Sequence, residues 1–82
     1  MKLTIYSSTQ TQEYDIHYLE VETSAGNFVI LEGHAPLVLV LKPLQPLIFS
    51  RTTSPESHEK QQLPHGGLLK VTRTDITLII NE

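Results

Sequence analysis

Gly26-Asn27-Phe28-Val29-Ile30-Leu31-Glu32-Gly33-His34-Ala35-Pro36-Leu37 is the most informative stretch of this chain. Residues 28–31 form a short, almost wholly apolar run bounded by Gly26 and Gly33, the pattern of a strand covered on both sides. Gly33-His34-Ala35-Pro36 then reads as a turn, since glycine supplies unusual φ angles and proline interrupts ladder bonding. Residues 37–41 make a second apolar run of the same kind, closed by Lys42-Pro43. Further on, Gly66-Gly67-Leu68-Leu69-Lys70-Val71 opens another strand. Here the two glycines allow positive φ or close backbone approach.

The same alternation extends to either side. Leu3 and Ile5 alternate with Lys2, Thr4 and Tyr6, and polar residues 7–12 break the pattern. Ile16, Leu19 and Val21 lie among His17, Tyr18, Glu20 and Glu22, with β-branched and aromatic residues in the proportions a strand prefers. Thr23-Ser24-Ala25-Gly26-Asn27 reads as a turn. Leu47, Ile48 and Phe49 give a short strand after Pro46, and residues 51–60 read as an exposed, mobile hairpin loop with residues 61–63 as its return strand. Leu69 and Val71, then Ile76, Leu78 and Ile80, form a last hairpin across Arg73-Thr74-Asp75. No window has apolar residues at helical spacing, so the expectation is all-β: a two-sheet sandwich or flattened barrel of about 8–10 short strands.

The chain has 82 residues, read as one domain over residues 1–82, with no cysteine and a formal charge of −3. So small a domain buries only about 60% of its unfolded surface, and no disulfide or thiolate metal site supplements the core. The absence of cysteine points to a reducing, intracellular setting. Six basic against nine acidic residues give no electrostatic reason to approach a phosphate backbone, so nucleic acid is not an expected partner. The longest apolar run, residues 35–41, falls far short of the ~20 residues of a membrane helix. Membrane association is expected only indirectly, through a partner.

His34 is the residue that invites a catalytic claim. Catalysis needs an orienting acid and a nucleophile or substrate proton within reach, and no serine lies in a glycine-flanked elbow. The reading adopted is that His34 bonds the turn it occupies. His17, His58 and His65 are scattered, with no pair at metal-binding spacing. Gly66-Gly67 has no third glycine and no following helix, so it is not a phosphate cradle. No cofactor or metal is expected.

Gly26, the run 28–31, Gly33-His34-Ala35-Pro36-Leu37, Lys42-Pro43, Gly66-Gly67-Leu68-Leu69-Lys70-Val71 and Thr77-Leu78-Ile79-Ile80 together resemble the β-sandwich domain of the epsilon subunit of bacterial F-type ATP synthases, called delta in mitochondria. The likeness covers nearly the whole chain. Asn27 stands where the family usually has an acid, Pro64-His65 replaces a family glycine or serine, and Tyr14 takes over from a phenylalanine expected near Gln12. The family commonly continues into a two-helix hairpin that inhibits hydrolysis and in some members binds ATP, and the chain reads as a short form lacking it.

The resemblance implies a non-catalytic rotor subunit of the central stalk that joins the gamma subunit to the membrane c-ring and supports coupling of ion translocation to ATP synthesis. It implies a peripheral place at the cytoplasmic face of the inner membrane, as part of the complex. By the same likeness, Thr23, Ser24, Ala25, Gly26, Asn27 and His34 face the c-ring, Ser7 and Ser8 face gamma, and Gly33, Pro36, Gly66 and Gly67 are structural turn residues. The rival reading is a small lipoyl- or biotinyl-carrier sandwich, which needs a lysine displayed at a hairpin tip. Lys42 precedes a proline and Lys70 lies mid-strand, so neither is well displayed. A small cupin-like metal barrel suggested by Gly33-His34 needs converging ligands, and the chain is short for it.

Overall fold

The computed structural model describes residues 1–82. It contains eight strands and no helix: β1 (Lys2–Tyr6), β2 (Thr11–Thr23), β3 (Gly26–Ile30), β4 (Leu37–Leu41), β5 (Leu47–Arg51), β6 (Glu59–Gln61), β7 (Gly67–Val71) and β8 (Asp75–Ile80). The expected all-β class therefore holds, with the polar break after β1 shorter than expected and β2 correspondingly longer.

β2 organises the molecule because it belongs to both layers. Its first part pairs with β1, from Tyr6↔Thr11 to Lys2↔Asp15, and its second part pairs with β3 and β5. The changeover coincides with a register shift between Ile16 and Tyr18, leaving His17 as the extra residue. Such a bulge bends a strand and increases its twist, which lets one strand turn the corner between two sheets. One layer then runs β4-β7-β8-β1-β2, with β1 and β8 parallel, and the other holds β3, β2, β5 and β6.

The core lies between the layers. Inward residues meet in cross-strand rows, Leu69–Leu78–Ile5 and Val71–Ile76–Leu3, all buried. Ile16, Leu19, Val21, Ile30, Leu47 and Phe49 face them from the second layer, and with Leu41 and Leu63 these make one cluster of 14 buried apolar side chains. At about 1.5–3 kcal/mol for each fully buried aliphatic side chain, this cluster is the main stabilising term of a chain without cross-links.

Two strands differ from expectation. β3 and β4 each bond to a single neighbour and are covered on one face only, so Val29 in β3 and Val38 and Val40 in β4 point to solvent. Leu31, just past β3, is also exposed. A continuous apolar run looks the same in sequence whether its second face meets a core or the outside. The expected return strand also moves: it is Glu59–Gln61, and Leu63 beyond it is a buried plug. Residues 52–58, expected as a mobile loop, form hydrogen-bonded turns beneath which the buried Ser50 hydroxyl lies within donating distance of the Pro55 and Ser57 carbonyls (3.0 and 2.7 Å).

Glycine is required where backbone meets backbone. Gly66 has φ +74°, and a Cβ there would stand inside the shell of the Leu41 carbonyl oxygen; one on Gly67 would lie 2.6 Å from the Ile79 carbonyl oxygen. These contacts fix the start of β7 against the end of β4 and against β8.

Candidate functional site

The outward face of the first layer carries an apolar row. Val40 on β4 is opposite Leu68 on β7, Leu68 is opposite Ile79 on β8, and Ile79 is opposite Tyr6 on β1. All four are exposed: Val40 74%, Leu68 38%, Ile79 46% and Tyr6 45%. The adjacent row, Val38–Lys70–Thr77–Thr4, is mostly polar and runs on to Glu13, which pairs with Lys2 at 2.7 Å. A four-strand apolar row bordered by charge is the pattern of a contact surface. It leads directly to Ser7 and Ser8, where β1 leaves the sheet. There the Ser8 N–H donates to Glu82 Oε1 at 2.9 Å and the Ser8 hydroxyl donates to the other oxygen. These bonds, hydroxyl first, hold the Glu82 carboxyl below its ordinary pKa.

At the β2–β3 hairpin, Thr23 pairs with Gly26, leaving Ser24 and Ala25 as a two-residue tip. The Thr23 hydroxyl accepts from the Ala25 N–H (3.1 Å) and donates to the Gly26 carbonyl (3.0 Å), so the tip is locked by its own first residue. Asn27 stands directly opposite Glu22 and donates through Nδ2 to Glu20 Oε2 at 2.7 Å, while the Tyr18 hydroxyl donates to the other Glu20 oxygen. Asn27 first, and then Tyr18, lower the Glu20 pKa; the bond to Glu20 raises that of Tyr18. The Asn27 carboxamide and the Tyr18 hydroxyl are thus the two donors that hold the Glu20 carboxylate, one on each oxygen. An acid at position 27 would face two carboxylates with nothing to give them.

His34 lies elsewhere. It follows β3, whereas the hairpin precedes it, so about 13 Å of extended strand at ~3.3 Å per residue separates the two. The half-buried His34 ring bonds through Nδ1 to the Ala35 carbonyl at 2.8 Å, and the His34 backbone N–H donates to the Leu31 carbonyl (3.1 Å). The Gly33 N–H donates to the Arg73 carbonyl, beside the Thr74 carbonyl that accepts from Lys2 at the start of β1. Ser7 and Ser8 leave the far end of that strand. The geometry therefore does not bring His34 together with the hairpin or with Ser7 and Ser8. Pro36 precedes β4 in the same turn, and Gly33 has φ +81° with open space where a Cβ would stand.

Sequence reasoning missed the apolar row and the Tyr18–Glu20–Asn27 trio. The only signal for the row was that Leu68-Leu69 and Leu78-Ile79-Ile80 break strict alternation. It missed also the clamp in which Arg51 Nη2 donates to Glu59 at 3.0 Å and the guanidinium lies 4.5 Å over the Tyr14 ring. Arg51 Nε is buried 2.5 Å from the second Glu59 oxygen, too poorly aligned for a hydrogen bond. The larger of two surface hollows, about 430 Å³, is lined by residues that include Gln10, Gln12, Gln61, Gln62 and Asn81. No three histidine, aspartate or glutamate side chains are grouped to hold a metal. No helix is long and apolar enough to cross a membrane.

Two layers of antiparallel and parallel strands around one apolar core, with no helix, define the class as a β-sandwich domain. Residues 1–82 match the family described as ATP synthase, Delta/Epsilon chain, beta-sandwich domain, and the chain belongs to that family. It is 32% identical over 80 residues to a protein named ATP synthase epsilon chain 2 from Burkholderia orbicola (strain AU 1054), covering 96% of this chain and 51% of that one. The chain thus spans about half the length of this relative.

Proposed function

We propose that this domain is a non-catalytic central-stalk rotor element of an F-type ATP synthase, joining the gamma subunit to the membrane c-ring so that ion translocation is coupled to ATP synthesis. The observation that carries the reading, beyond family membership, is the Val40–Leu68–Ile79–Tyr6 row, which with Ser7 and Ser8 supplies a face for gamma. Val40, the most exposed of the four, would become buried on docking, at about 25 cal/mol for each Å² of apolar surface removed from water. The locked tip Thr23-Ser24-Ala25-Gly26 and the neutral Asn27 are the ring-side contact, and His34 takes no part in that same patch. Stiffness is what the role requires, and two sheets sharing one bent strand around a close-packed core resist shear between the faces.

Within the complex the domain sits peripherally at the cytoplasmic face of the inner membrane, touching the bilayer only through its partners. The test is co-purification of gamma and the catalytic subunits from native membranes with tagged chain. The native chain should recover them, and Leu68→Glu/Ile79→Glu, which alters only outward-facing positions, should reduce recovery at least about tenfold, the equivalent of 1.4 kcal/mol. Undiminished recovery by the double variant would remove the row from the gamma interface.

A further inference from the structure

We propose that the free chain pairs with a second copy of itself through the open edge of β4. Four strand edges are open, and they are not alike. Residues 11–15 of β2, which close the first layer opposite β4, carry Glu13 and Asp15, and the Thr52 N–H already occupies the Asp15 carbonyl. β6 reads Glu59-Lys60-Gln61, with the charges that natural sheets place on an edge to prevent pairing. β3 begins at Gly26 and Asn27, and Gly26 has φ +119°. β4 has no charge, proline, glycine or bulge within it: five residues run in unbroken register against β7 alone. No backbone group of residues 37–41 has a partner on the other side.

The second copy is indicated by the sequence of that edge. Leu37-Val38-Leu39-Val40-Leu41 is a palindrome, so antiparallel pairing about a two-fold axis at Leu39 sets Leu37 opposite Leu41 and Val38 opposite Val40 of the other copy. Each copy presents to the other the same apolar ladder in the same register, with no charge to oppose it. Val38 and Val40, 61% and 74% exposed, gain β-branched cross-strand partners on the solvent face. Pro36 and Lys42-Pro43 bracket the strand and limit the pairing to these five residues. An edge pair this short covers only a few hundred Å², below the ~1,000 Å² of a stable interface, so dissociation constants between about 10 µM and about 1 mM are expected. This inference concerns the chain without partners and does not rest on the rotor reading.

Sedimentation equilibrium of the full chain over this concentration range tests it. A reversible monomer–dimer transition is expected. Val38→Lys/Val40→Lys sets lysine opposite lysine twice and should raise the midpoint concentration at least about tenfold. Mixing that variant with Val38→Glu/Val40→Glu should restore a mixed dimer, whereas Ile79→Lys, on the apolar row but two strands from the edge, should leave the dimer intact. A native chain that stays monomeric at about 1 mM, a mixture that fails to associate, or an Ile79→Lys variant as dissociated as the edge variant each overturns the proposal. Should the edge variants not fold, amide exchange of residues 37–41 in the native chain decides: it must slow as concentration rises, and exchange independent of concentration overturns the pairing.

Discussion

Replacing Gly66 with alanine should be among the most destabilising single methyl additions this chain can receive, and its cost can be separated into parts. Gly66 combines φ +74° with a missing Cβ that would press on the Leu41 carbonyl oxygen, with Lys42 backbone 3.2 Å away. Gly33 has the first property alone, φ +81° and open space; Gly67 has the second alone, with the Ile79 carbonyl oxygen 2.6 Å from its absent Cβ and no left-handed φ. A left-handed conformation costs an alanine about 1–2 kcal/mol, offset by about 0.4–1 kcal/mol because alanine restricts the unfolded chain. Forcing packed backbone apart costs about 1–3 kcal/mol. Gly33→Ala should therefore cost about 1 kcal/mol, Gly67→Ala about 0.5–2 kcal/mol, and Gly66→Ala about 2–4 kcal/mol. In a domain of this size each kcal/mol moves Tm by about 4–8 °C, so the three variants should separate on one melting series followed by circular dichroism. Urea titration should show falling midpoints at an unchanged slope. If Gly66→Ala melts with Gly33→Ala, the β4–β7 junction yields to an added methyl, and the claim that backbone contact there dictates glycine is wrong.

Leu78→Ala empties a fully buried position between Ile5 and Leu69 and should cost about 2–5 kcal/mol in chemical denaturation. Removing the buried hydroxyl with Ser50→Ala frees the carbonyls of Pro55 and Ser57, so limited proteolysis should cut within residues 52–58 faster than in the native chain; equal rates would show that the hydroxyl does not tether this segment. Because Asn27 and then Tyr18 depress the Glu20 pKa in the folded chain, Glu20 contributes stability that is present above the ordinary glutamate pKa and lost as pH falls through the folded value. Asn27→Asp withdraws the first donor and adds a like charge, so the Glu20 carboxyl resonance in a carbon NMR titration should move to a higher midpoint, and an unmoved midpoint would deny the contact.

Local pattern was enough wherever one face of a strand is buried. Leu3 and Ile5, Leu69 and Val71, and Ile76 and Leu78 announce their strands because period two separates core from solvent, and the glycines at 26, 33, 66 and 67 mark places where the chain turns or touches itself. The motif around Gly33-His34-Ala35-Pro36 carried the family as well, since it is specific enough to survive without knowledge of any contact. Which faces stay open was not legible. Residues 28–31 and 37–41 look equally apolar whether one face is covered or both, and only the packing of the two layers, which covers one face of β3 and of β4, puts Val29, Val38 and Val40 outside.

The candidate contacts divide along the same line. Motif and local pattern named the family and the all-β class, because residue type and short-range spacing carry both. The tertiary structure alone aligned Tyr6, Ile79, Leu68 and Val40, drawn from four strands, into one row, and set His34 and the Thr23–Asn27 hairpin at opposite ends of β3. Register between strands distant in sequence is fixed by the shared core and by the bulge at His17, and neither is written in any local stretch of the chain.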